Sequence, residues 1–452
     1  MNSIQFLGAT GTVTGSKFLL TINNAKFLID CGLFQGLKNL RLKNWNPLEI
    51  DPSQIHSIIL THAHIDHSGY IPLIIKNGFR GNVYTSEATK FLCEILLPDS
   101  GHIQEDDADF ANRHNYSKHS PALPLYTEKE ARNSLAYFKP IPWNKRKKLS
   151  NDVSFEMVRS GHILGSGIVK IFYGKKSVTF TGDLGRQKNI IMKKPSRIDH
   201  TDYLVLESTY GDRIHADADP MQILKDLILK TIKRGGKILI PAFAVGRTQQ
   251  LLYLINNIKI KYPEINTPVY VDSPMATNAT KLFFEFSDEH AVSPEECDSI
   301  KRNTRLIASR EDSVAIMMDA EPSIIISASG MATGGRVLHH LAAMLPNQKN
   351  TILFTGFQAA GTRGKSLIQG TPSIKIHGEY ISVHAEIHSM DTLSAHADQD
   401  EILQWLHGFK SPPIKTFIVH GEPQASDELR KRIENELKWN VEIPDYREKF
   451  DL

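Results

Sequence analysis

The sequence predicts a mixed α/β protein with two differently organised regions. Three observations support this: a length of 452 residues, a first region in which short β-rich runs alternate with loops, and a second in which strands alternate with helices. The length exceeds one ordinary hydrophobic core, so two or more domains are expected, and one domain can be inserted into another. The content of 41% hydrophobic and 23% charged residues is that of an ordinary globular protein.

The first region predicts a sandwich-like β core. Runs rich in β-branched and aromatic residues recur there at short intervals, separated by loops. These runs are 17–29, 58–60, 82–84, 168–173, 178–181 and 203–206.

From about Gly236 the rhythm changes to strand followed by helix, which predicts a doubly wound parallel sheet. The helical stretches have apolar spacing near 3.6 residues, as expected for helices that pack on a sheet. The predicted strands are 237–240, 269–272, 323–327 and 351–355. A final section predicts a helix near 402–406, a strand at 416–419 and a helix near 429–437.

Composition excludes several classes of protein. Cys31, Cys93 and Cys297 are too few and too widely spaced for a disulfide framework or a Cys-x-x-Cys metal site. The N-terminus carries no basic region before its apolar stretch, and no apolar run is long enough to span a bilayer. We therefore expect a cytoplasmic protein without a membrane partner. A net charge of +3 allows a polyanionic partner without requiring one.

The most informative segment is a loop rich in metal-binding side chains that directly follows the apolar run 57–60. Four such side chains fall within six residues: His62, His64, Asp66 and His67. Imidazole and carboxylate ligands together suit Zn²⁺ or another borderline divalent ion. Alternation places His62 and His64 on one side, and Asp66 and His67 can turn toward a second ion. A polar loop that caps the next helix is the simpler interpretation, which this spacing disfavours.

Three further residues of the same kind stand just beyond predicted strands or in glycine-flanked loops: His162, Asp183 and His420. A single histidine at a strand end is more often a core or turn residue than a ligand. Asp183 alone would most simply be a turn residue. The residues by themselves leave both interpretations open.

Taken together, the His-x-His-x-Asp-His loop and the three later residues resemble the metallo-β-lactamase fold. Segments 206–213 (Leu-Glu-Ser-Thr-Tyr-Gly-Asp-Arg) and 394–398 (Ser-Ala-His-Ala-Asp) resemble its β-CASP branch of nucleases. That branch includes the eukaryotic pre-mRNA 3′-end cleavage endonuclease and its bacterial and archaeal relatives. Segments 99–105 and 329–331 also resemble family signatures, so the resemblance covers nearly the whole chain.

The resemblance implies an αββα metallo-β-lactamase sandwich, formed by residues 1–208 and 386–452, with a β-CASP α/β parallel-sheet domain inserted at 209–385. The insertion explains why His420 lies so far downstream of the other ligands. Unlike archaeal relatives, the chain is expected to lack leading KH modules. RNA selection is then expected to come from the inserted domain or from partners.

By the same resemblance, two Zn²⁺ ions bind per chain, although Mn²⁺ fits the ligand set nearly as well. One ion is assigned to His62, His64 and His162, and the other to Asp66, His67 and His420. Asp183 is expected to bridge the two ions. Asp30, at the end of the run 26–29, matches the family's first motif and is expected to orient the ligand loop from behind. A simple turn aspartate before Gly32 is the alternative.

By the same resemblance, the dinuclear site is expected to hydrolyse phosphodiester bonds. Two ions about 3.5 to 4 Å apart lower the pKa of a water and polarise the phosphate. With Asp66 as a catalytic ligand, the resemblance makes His396 the proton donor to the leaving 3′-oxygen, oriented and kept protonated by Glu207. An ion pair between Glu207 and Arg213 is the alternative, but the strand-end context 204–207 favours a carboxylate that faces the site.

The predicted insertion also contains candidate RNA phosphate-binding residues. Arginine or lysine recurs near glycine just after a strand, at the expected start of a helix. A cation there opposes the helix dipole unless an anion also binds, and glycine allows close backbone approach to a phosphate. Solvated arginines and ordinary turn glycines are the alternative at any single position. The candidates are Arg247, Ser329, Gly330, Arg336, Arg363 and Lys365.

The resemblance as a whole identifies a metal-dependent ribonuclease, expected to act on single-stranded RNA. A DNA nuclease of the same class is the first alternative, disfavoured by the presence of His420. A small-molecule hydrolase is disfavoured by the large insertion, and an inactive scaffold subunit by the complete ligand set. The sequence does not decide between endonucleolytic and 5′-to-3′ exonucleolytic cleavage. It also leaves open which RNA is the physiological substrate and whether the protein forms a homodimer.

Overall fold

The computed structural model describes residues 2–114, 119–356, 358–359 and 361–452. The chain divides into two compact units. The sandwich unit comprises Met1–Asn189, Lys193–Ile214 and His396–Leu452. The parallel-sheet unit comprises Ile190–Met192 and His215–Ala395.

The first sheet of the sandwich unit has seven strands, antiparallel over its first four and parallel beyond. The predicted run 17–29 is a hairpin whose turn residues, Asn23 and Asn24, have φ of 48° and 67°, as a type I′ turn requires. In sheet order the strands are Lys449–Asp451, Ser3–Phe6, Phe18–Ile22, Ala25–Ile29, Ile55–Ile59, Asn82–Thr85 and Phe138–Pro140.

The second sheet also has seven strands. Along Val153–Arg159, buried residues alternate with partly exposed ones, because one face of the strand points into the core. In sheet order the strands are Val441–Glu442, Lys415–Val419, Tyr203–Glu207, Lys176–Phe180, Gly167–Tyr173, Val153–Arg159 and Lys147–Lys148. The first four are parallel to one another and the rest antiparallel.

The two sheets pack face to face around an aromatic core that includes Phe6, Phe18, Phe155 and Phe180. The helices Gln399–Leu406 and Pro423–Arg432 cover the other face of the second sheet, where Trp405 and Leu429 pack against Leu204. On the side of the first sheet lie the helices Lys38–Leu42, Ile65–Ser68, Ile71–Lys76, Glu87–His114 and Glu128–Ser134. The predicted helix–sheet–sheet–helix sandwich is confirmed.

The main sheet of the parallel-sheet unit has six strands, all parallel, with helices between them. Its four central strands are buried along their whole length, as expected for strands covered on both faces. In sheet order the strands are Thr304–Ile307, Val269–Asp272, Ile324–Ser327, Ile238–Pro241, Thr351–Phe354 and Glu386–Ser389. The predicted doubly wound sheet is confirmed.

The helices of this unit are Pro220–Lys233, Arg247–Lys261, Pro274–Glu285, Pro294–Asn303, Arg310–Met318, Arg336–Met344 and Arg363–Ile368. A small hairpin, Ser373–Ile376 with Glu379–Ser382, precedes the last strand. Three of these helices begin at Arg247, Arg336 and Arg363, where the sequence predicted helix starts. A short π-helical segment, Ile433–Leu437, extends the last helix of the sandwich unit.

The inserted segment of the parallel-sheet unit, His215–Ala395, begins six residues later and ends ten residues later than the expected 209–385. Residues 386–389 form the edge strand of the parallel sheet, paired with Thr351–Phe354. At the other end, Thr209 stays with the sandwich unit because its hydroxyl contacts His420 at 3.1 Å. Within the described residues, no helix combines the length and apolarity needed to cross a bilayer.

Candidate metal centre and active site

The ligand loop 61–69 leaves the carboxyl end of Ile55–Ile59 and turns into the short helix Ile65–Ser68. The Ser68 hydroxyl fastens the turn by donating to the carbonyls of Ala63 and His64, at 2.9 and 3.0 Å. A side chain at Gly69 would meet the Ile65 carbonyl at 2.6 Å, so the turn requires glycine there. The loop thereby holds its three imidazoles in place, with His62 and His67 buried and His64 partly exposed.

Three histidines converge with one oxygen of Asp183. The Nδ1 atom of His64 lies 3.1 Å from His62 Nε2 and 3.2 Å from His162 Nε2. The Oδ2 atom of Asp183 lies 3.3 Å from His62 Nε2 and 3.4 Å from His162 Nε2. The structure therefore brings together the first predicted ligand group.

The second predicted group converges on the other oxygen of Asp183. Oδ1 of Asp183 lies 3.2 Å from His67 Nε2, which is 3.2 Å from His420 Nε2. Oδ2 of Asp66 lies 3.4 Å from His420 Nε2 and 3.8 Å from His67 Nε2. Asp183 thus presents one oxygen to each group, as a bridging ligand would.

Loops from the second sheet deliver the distant members. Asp183 lies just after the strand Lys176–Phe180 and is preceded by Gly182. A Cβ atom added at Gly182 would lie 2.8 Å from the Thr61 side chain, so glycine permits the close approach of the two loops. His162 lies in a loop where the Ser166 hydroxyl accepts its backbone N–H at 3.1 Å. His420 directly follows the strand Lys415–Val419, and its N–H donates to the Ala9 carbonyl at 2.7 Å.

The electrostatics of the centre fit bound cations. Burial, reinforced by neighbouring histidines, lowers the pKa of His62, His64 and His162, so neutral imidazoles with free lone pairs face the centre. Burial by itself would raise the pKa of Asp66, but the neighbouring His67 and the hydrogen bond from His420 lower it overall. The resulting carboxylate and lone pairs are the ligand forms that metals bind.

Two further observations support a metal. Among the described residues, Asp183 Oδ1 is buried without a hydrogen-bond partner, which is costly unless another group satisfies it. Ligand atoms at about 2.0 to 2.1 Å from one tetrahedral ion lie roughly 3.3 Å apart. The separations of 3.1 to 3.4 Å in the first group match that spacing. The residues present therefore fit divalent ions.

Asp30 lies behind the ligand loop, as the sequence led us to expect. Its carboxylate, 1% exposed, accepts hydrogen bonds from Thr61 N at 2.7 Å, Thr61 Oγ1 at 2.8 Å and His67 Nδ1 at 2.8 Å. The last contact places the proton of His67 on Nδ1, so Nε2 can act as a ligand. Asp30 therefore orients His67 and fixes its tautomer.

Sequence reasoning missed three hydroxyl groups around the histidines. Thr61 Oγ1 lies 3.1 Å from His62 Nδ1, and Thr209 Oγ1 lies 3.1 Å from His420 Nδ1. Ser16 Oγ lies 3.4 Å from His67 Nε2. Thr209 belongs to the quoted segment 206–213, and Thr61 directly precedes the first histidine of the ligand loop, so the sequence held a signal for these two.

A second pair, formed by the buried Glu207 and the partly exposed His396, adjoins the cluster. Nδ1 of His396 lies 3.1 and 3.3 Å from the two carboxylate oxygens of Glu207, and its Nε2 lies 4.0 Å from Asp183 Oδ2. Glu207 is held in turn by the N–H groups of Leu184 at 2.6 Å and Thr209 at 3.1 Å. Burial by itself would lower the pKa of His396, but Glu207 and Asp183 outweigh it and raise the pKa to about 9.

Arg213 is paired elsewhere. Its guanidinium forms an ion pair with Asp212 at 2.8 Å. The alternative interpretation of Glu207, an ion pair with Arg213, is therefore wrong, and the carboxylate faces His396 instead.

The six candidate phosphate-binding residues lie in the parallel-sheet unit, and the structure gives the arginines protein partners. Arg336 pairs with the buried Asp272 at 2.7 Å and donates to the Ala308 carbonyl at 2.8 Å. Arg363 donates to the Lys375 carbonyl at 2.8 Å. Arg336 thereby links the carboxyl ends of two neighbouring strands, and Arg363 contacts the small hairpin.

Arg247 likewise donates to the Thr355 carbonyl. Ser329 Oγ accepts from Thr333 N at 3.0 Å, and Gly330 packs so closely that an added side chain would meet Phe243 N at 3.0 Å. Lys365 lies near the start of the helix Arg363–Ile368. Phosphate binding by any of the six stays a prediction.

Comparisons with known proteins agree with this geometry. The chain matches the Metallo-beta-lactamase superfamily over residues 11–221, the Beta-Casp domain over 248–367 and the Zn-dependent metallo-hydrolase RNA specificity domain over 380–444. The sandwich and its histidine–aspartate centre thus define a metallo-hydrolase of the metallo-β-lactamase superfamily.

Relatives extend over the whole chain. It is 32% identical over 424 residues to Ribonuclease TTHA0252 of Thermus thermophilus, with 92% of each chain covered. It is 28% identical over 462 residues to the transcription termination factor FttA of a Lokiarchaeum species, covering 97% of this chain and 69% of that one. Within the superfamily, the chain therefore belongs to the β-CASP family, as its motifs indicated.

One solved structure shows the likeness of fold alone. A crystal structure of a protein of unknown function from Enterococcus faecalis V583 superimposes with a TM-score of 0.59 at 15% identity, with complete coverage of both chains.

Proposed function

We propose that this protein is a metal-dependent ribonuclease that hydrolyses phosphodiester bonds of single-stranded RNA. The observation that carries the proposal is the arrangement of Asp183, whose two carboxylate oxygens face two separate groups of histidines at 3.2 to 3.4 Å. Such a carboxylate is suited to bridge a pair of divalent ions.

His62, His64 and His162 would hold one ion, and Asp66, His67 and His420 the other. When bound, two divalent ions lower the pKa of a water and stabilise negative charge on a phosphate. Zn²⁺ suits the histidine-rich set, and Mn²⁺ suits its carboxylates and imidazoles nearly as well. Asp30, Thr61 and Thr209 orient the imidazoles from behind.

His396 acts as the proton donor to the leaving oxygen. Its Nδ1 faces Glu207, so the proton available for donation is on Nε2. That atom lies 4.0 Å from Asp183 Oδ2 and therefore points toward the metal centre. Glu207 holds the ring in place and stabilises its charged form, which makes Glu207 a positioning residue.

RNA is the substrate that the comparisons favour. The family match over residues 380–444 carries an RNA specificity description, and the relative TTHA0252 is named a ribonuclease. In the parallel-sheet unit, Phe243 is 46% exposed beside the loop that contains Ser329 and Gly330. An exposed aromatic ring can stack on an unpaired base, which favours a single strand over a duplex.

The test uses metal-quantified protein and 5′-labelled single-stranded RNA, with DNA of the same sequence beside it. An Asp66→Ala, His67→Ala double variant removes the second ligand group. The matched control is Asp109→Ala with His114→Ala, which makes the same side-chain changes at exposed positions of the helix Glu87–His114.

We expect cleavage of RNA by the wild type and by the control, and none by the ligand variant. Fragment lengths distinguish endonucleolytic from 5′-to-3′ exonucleolytic action. If the metal-loaded wild type cuts neither polymer, the ribonuclease proposal fails and a small-molecule substrate becomes the better explanation of the centre.

A further inference from the structure

A second polar cleft lies in the sandwich unit, behind the ligand loop. Its lining contains three aromatic and three cationic side chains. The charged and aromatic members of its lining are Lys17, Phe34, Lys43, Glu49, Tyr70, Tyr446 and Arg447. We call it the cationic cleft. The metal-centre residues are not part of its lining.

Lys17 is the most unusual residue of the cationic cleft. It is 2% exposed, and its ammonium group is 3.5 Å from the Gly15 carbonyl, at the limit of a hydrogen bond. The group lies over the rings of Phe34 and Tyr70, 4.6 and 4.7 Å from their centroids. Among the described residues, no carboxylate forms a salt bridge with it. A buried ammonium without an anion is energetically costly.

The other charges of the cleft do not compensate Lys17. Lys43 lies 4.1 Å from the centroid of the Tyr446 ring and 5.2 Å from that of Phe34. The single carboxylate of the lining, Glu49, is paired with Arg447 at 3.1 Å. Three cations and one carboxylate therefore leave the cleft with an excess of two positive charges when Lys17 is protonated.

We propose that the cationic cleft binds a phosphate group between Lys17 and Lys43. Ammonium groups bind phosphate oxygens through charge-assisted hydrogen bonds, and Phe34 and Tyr446 wall the site with apolar surface. A neighbouring anion would supply the missing partner of the buried ammonium. In support, burial and the nearby Lys43 outweigh the opposing effect of Cys31 and together lower the pKa of Lys17 to about 8.

The cationic cleft adjoins the ligand loop 61–69. Ser16, next to Lys17, contacts the ligand loop: its N–H donates a hydrogen bond to the Asp66 carbonyl at 2.9 Å. The Ser16 carbonyl accepts from Gly32 N at 3.0 Å. Tyr70 lies three residues after His67 and donates its N–H to the Cys31 carbonyl at 2.8 Å. Ser16 is thus hydrogen-bonded directly to the ligand loop, and Tyr70 directly follows that loop in the chain.

Calorimetric titration of the 452-residue chain with inorganic phosphate at constant ionic strength tests the proposal. The Asp66→Ala, His67→Ala variant is titrated beside the wild type, because it separates the cationic cleft from phosphate bound at the metal centre. Lys17→Met and Lys43→Met each remove one charge from the cleft. Lys38→Met is the matched control, since Lys38 is exposed and does not line the cleft.

We expect saturable binding in the wild type, the ligand variant and the control. Lys17→Met and Lys43→Met should each weaken it by at least about tenfold, the effect of losing a hydrogen bond to a charged group. Binding that disappears in the ligand variant, or that is unchanged in Lys43→Met, would overturn the proposal. The Lys43→Met result decides even if the buried Lys17→Met variant fails to fold.

Uridine 5′-monophosphate, titrated in parallel, identifies the source of the phosphate. Tighter binding than inorganic phosphate assigns the site to a nucleotide, and equal binding assigns it to free phosphate. Because the ligand variant lacks the proposed catalytic metal ligands, its titration is informative whether or not the protein cleaves RNA.

Discussion

Asparagine at position 30 should weaken one metal site and spare the other. The change removes one charge while keeping the shape of the side chain. Asparagine also tolerates the left-handed backbone that Asp30 adopts, with φ of 55°. The substitution therefore perturbs the hydrogen bonds of the carboxylate and adds little backbone strain.

The magnitude follows from the contacts of Asp30. The asparagine carbonyl can still accept from Thr61 N, but its amide NH₂ then faces Nδ1 of His67, which donates a proton to the native carboxylate at 2.8 Å. To avoid two facing donors, His67 must move its proton to Nε2, the atom that points at Asp183 and His420. Loss of a residue that hydrogen-bonds a metal ligand from behind weakens metal binding about 10- to 100-fold. This corresponds to roughly 1.4 to 2.7 kcal/mol of binding free energy.

The assay is competition for Zn²⁺ with a chromophoric chelator, combined with metal quantification and circular dichroism. Asp30→Asn should retain its fold and one wild-type site, while the second site weakens by the factor above. Asp51→Asn, at an exposed helix cap, serves as the control. Wild-type affinity at both sites of Asp30→Asn would refute the role assigned to Asp30.

Three further predictions follow from the same structure. The Glu207→Gln variant should keep its metals, but its kcat for RNA cleavage should fall by about 10² to 10⁴, the usual contribution of a positioned proton donor. Unchanged turnover would exclude the His396 and Glu207 pair from proton donation. Asp272→Ala should destabilise the protein in urea by about 3 kcal/mol, the lower end for a broken buried ion pair, since Arg336 is 22% exposed. Burial alone would raise the pKa of Asp272, but hydrogen bonds from His340, Ser313 and Arg336 lower it overall. The difference in free energy of unfolding between wild type and this variant should therefore be full above about pH 4 and shrink as the pH falls further. A difference that does not depend on pH would contradict this. Phe243→Ala should raise KM for RNA with little change in kcat, and an unchanged KM would remove the stacking role.

The sequence is informative wherever the chemistry is local. The loop with His62, His64, Asp66 and His67 is recognisable because four ligand types in six residues have few other uses. The central strands of the parallel sheet are equally clear, because strands buried on both faces are continuous apolar runs.

The sequence is ambiguous wherever a residue's partner is distant in the chain. His162, Asp183 and His420 are ordinary loop residues until the second sheet brings them together. The glycine–arginine pattern does not distinguish a phosphate from a protein partner, and Arg336 proves to face the buried Asp272. The burial of Lys17 had no signal, since its neighbour Tyr70 lies more than fifty residues away.

The strand at 386–389 illustrates the same limit. The polar composition of Glu386–Ser389 does not predict a sheet strand, and its side chains are only partly buried because it lies at the edge. An edge strand is defined by its backbone pairing with Thr351–Phe354 rather than by its own residues. The boundary drawn from sequence therefore falls before it.

The most direct test of the account is a metal titration of metal-free protein, followed by RNA cleavage at each ratio of metal to protein. The two ligand groups that share Asp183 predict that cleavage rises only as the second equivalent binds. Full cleavage at one equivalent, or cleavage by the metal-free protein, would contradict a two-metal ribonuclease.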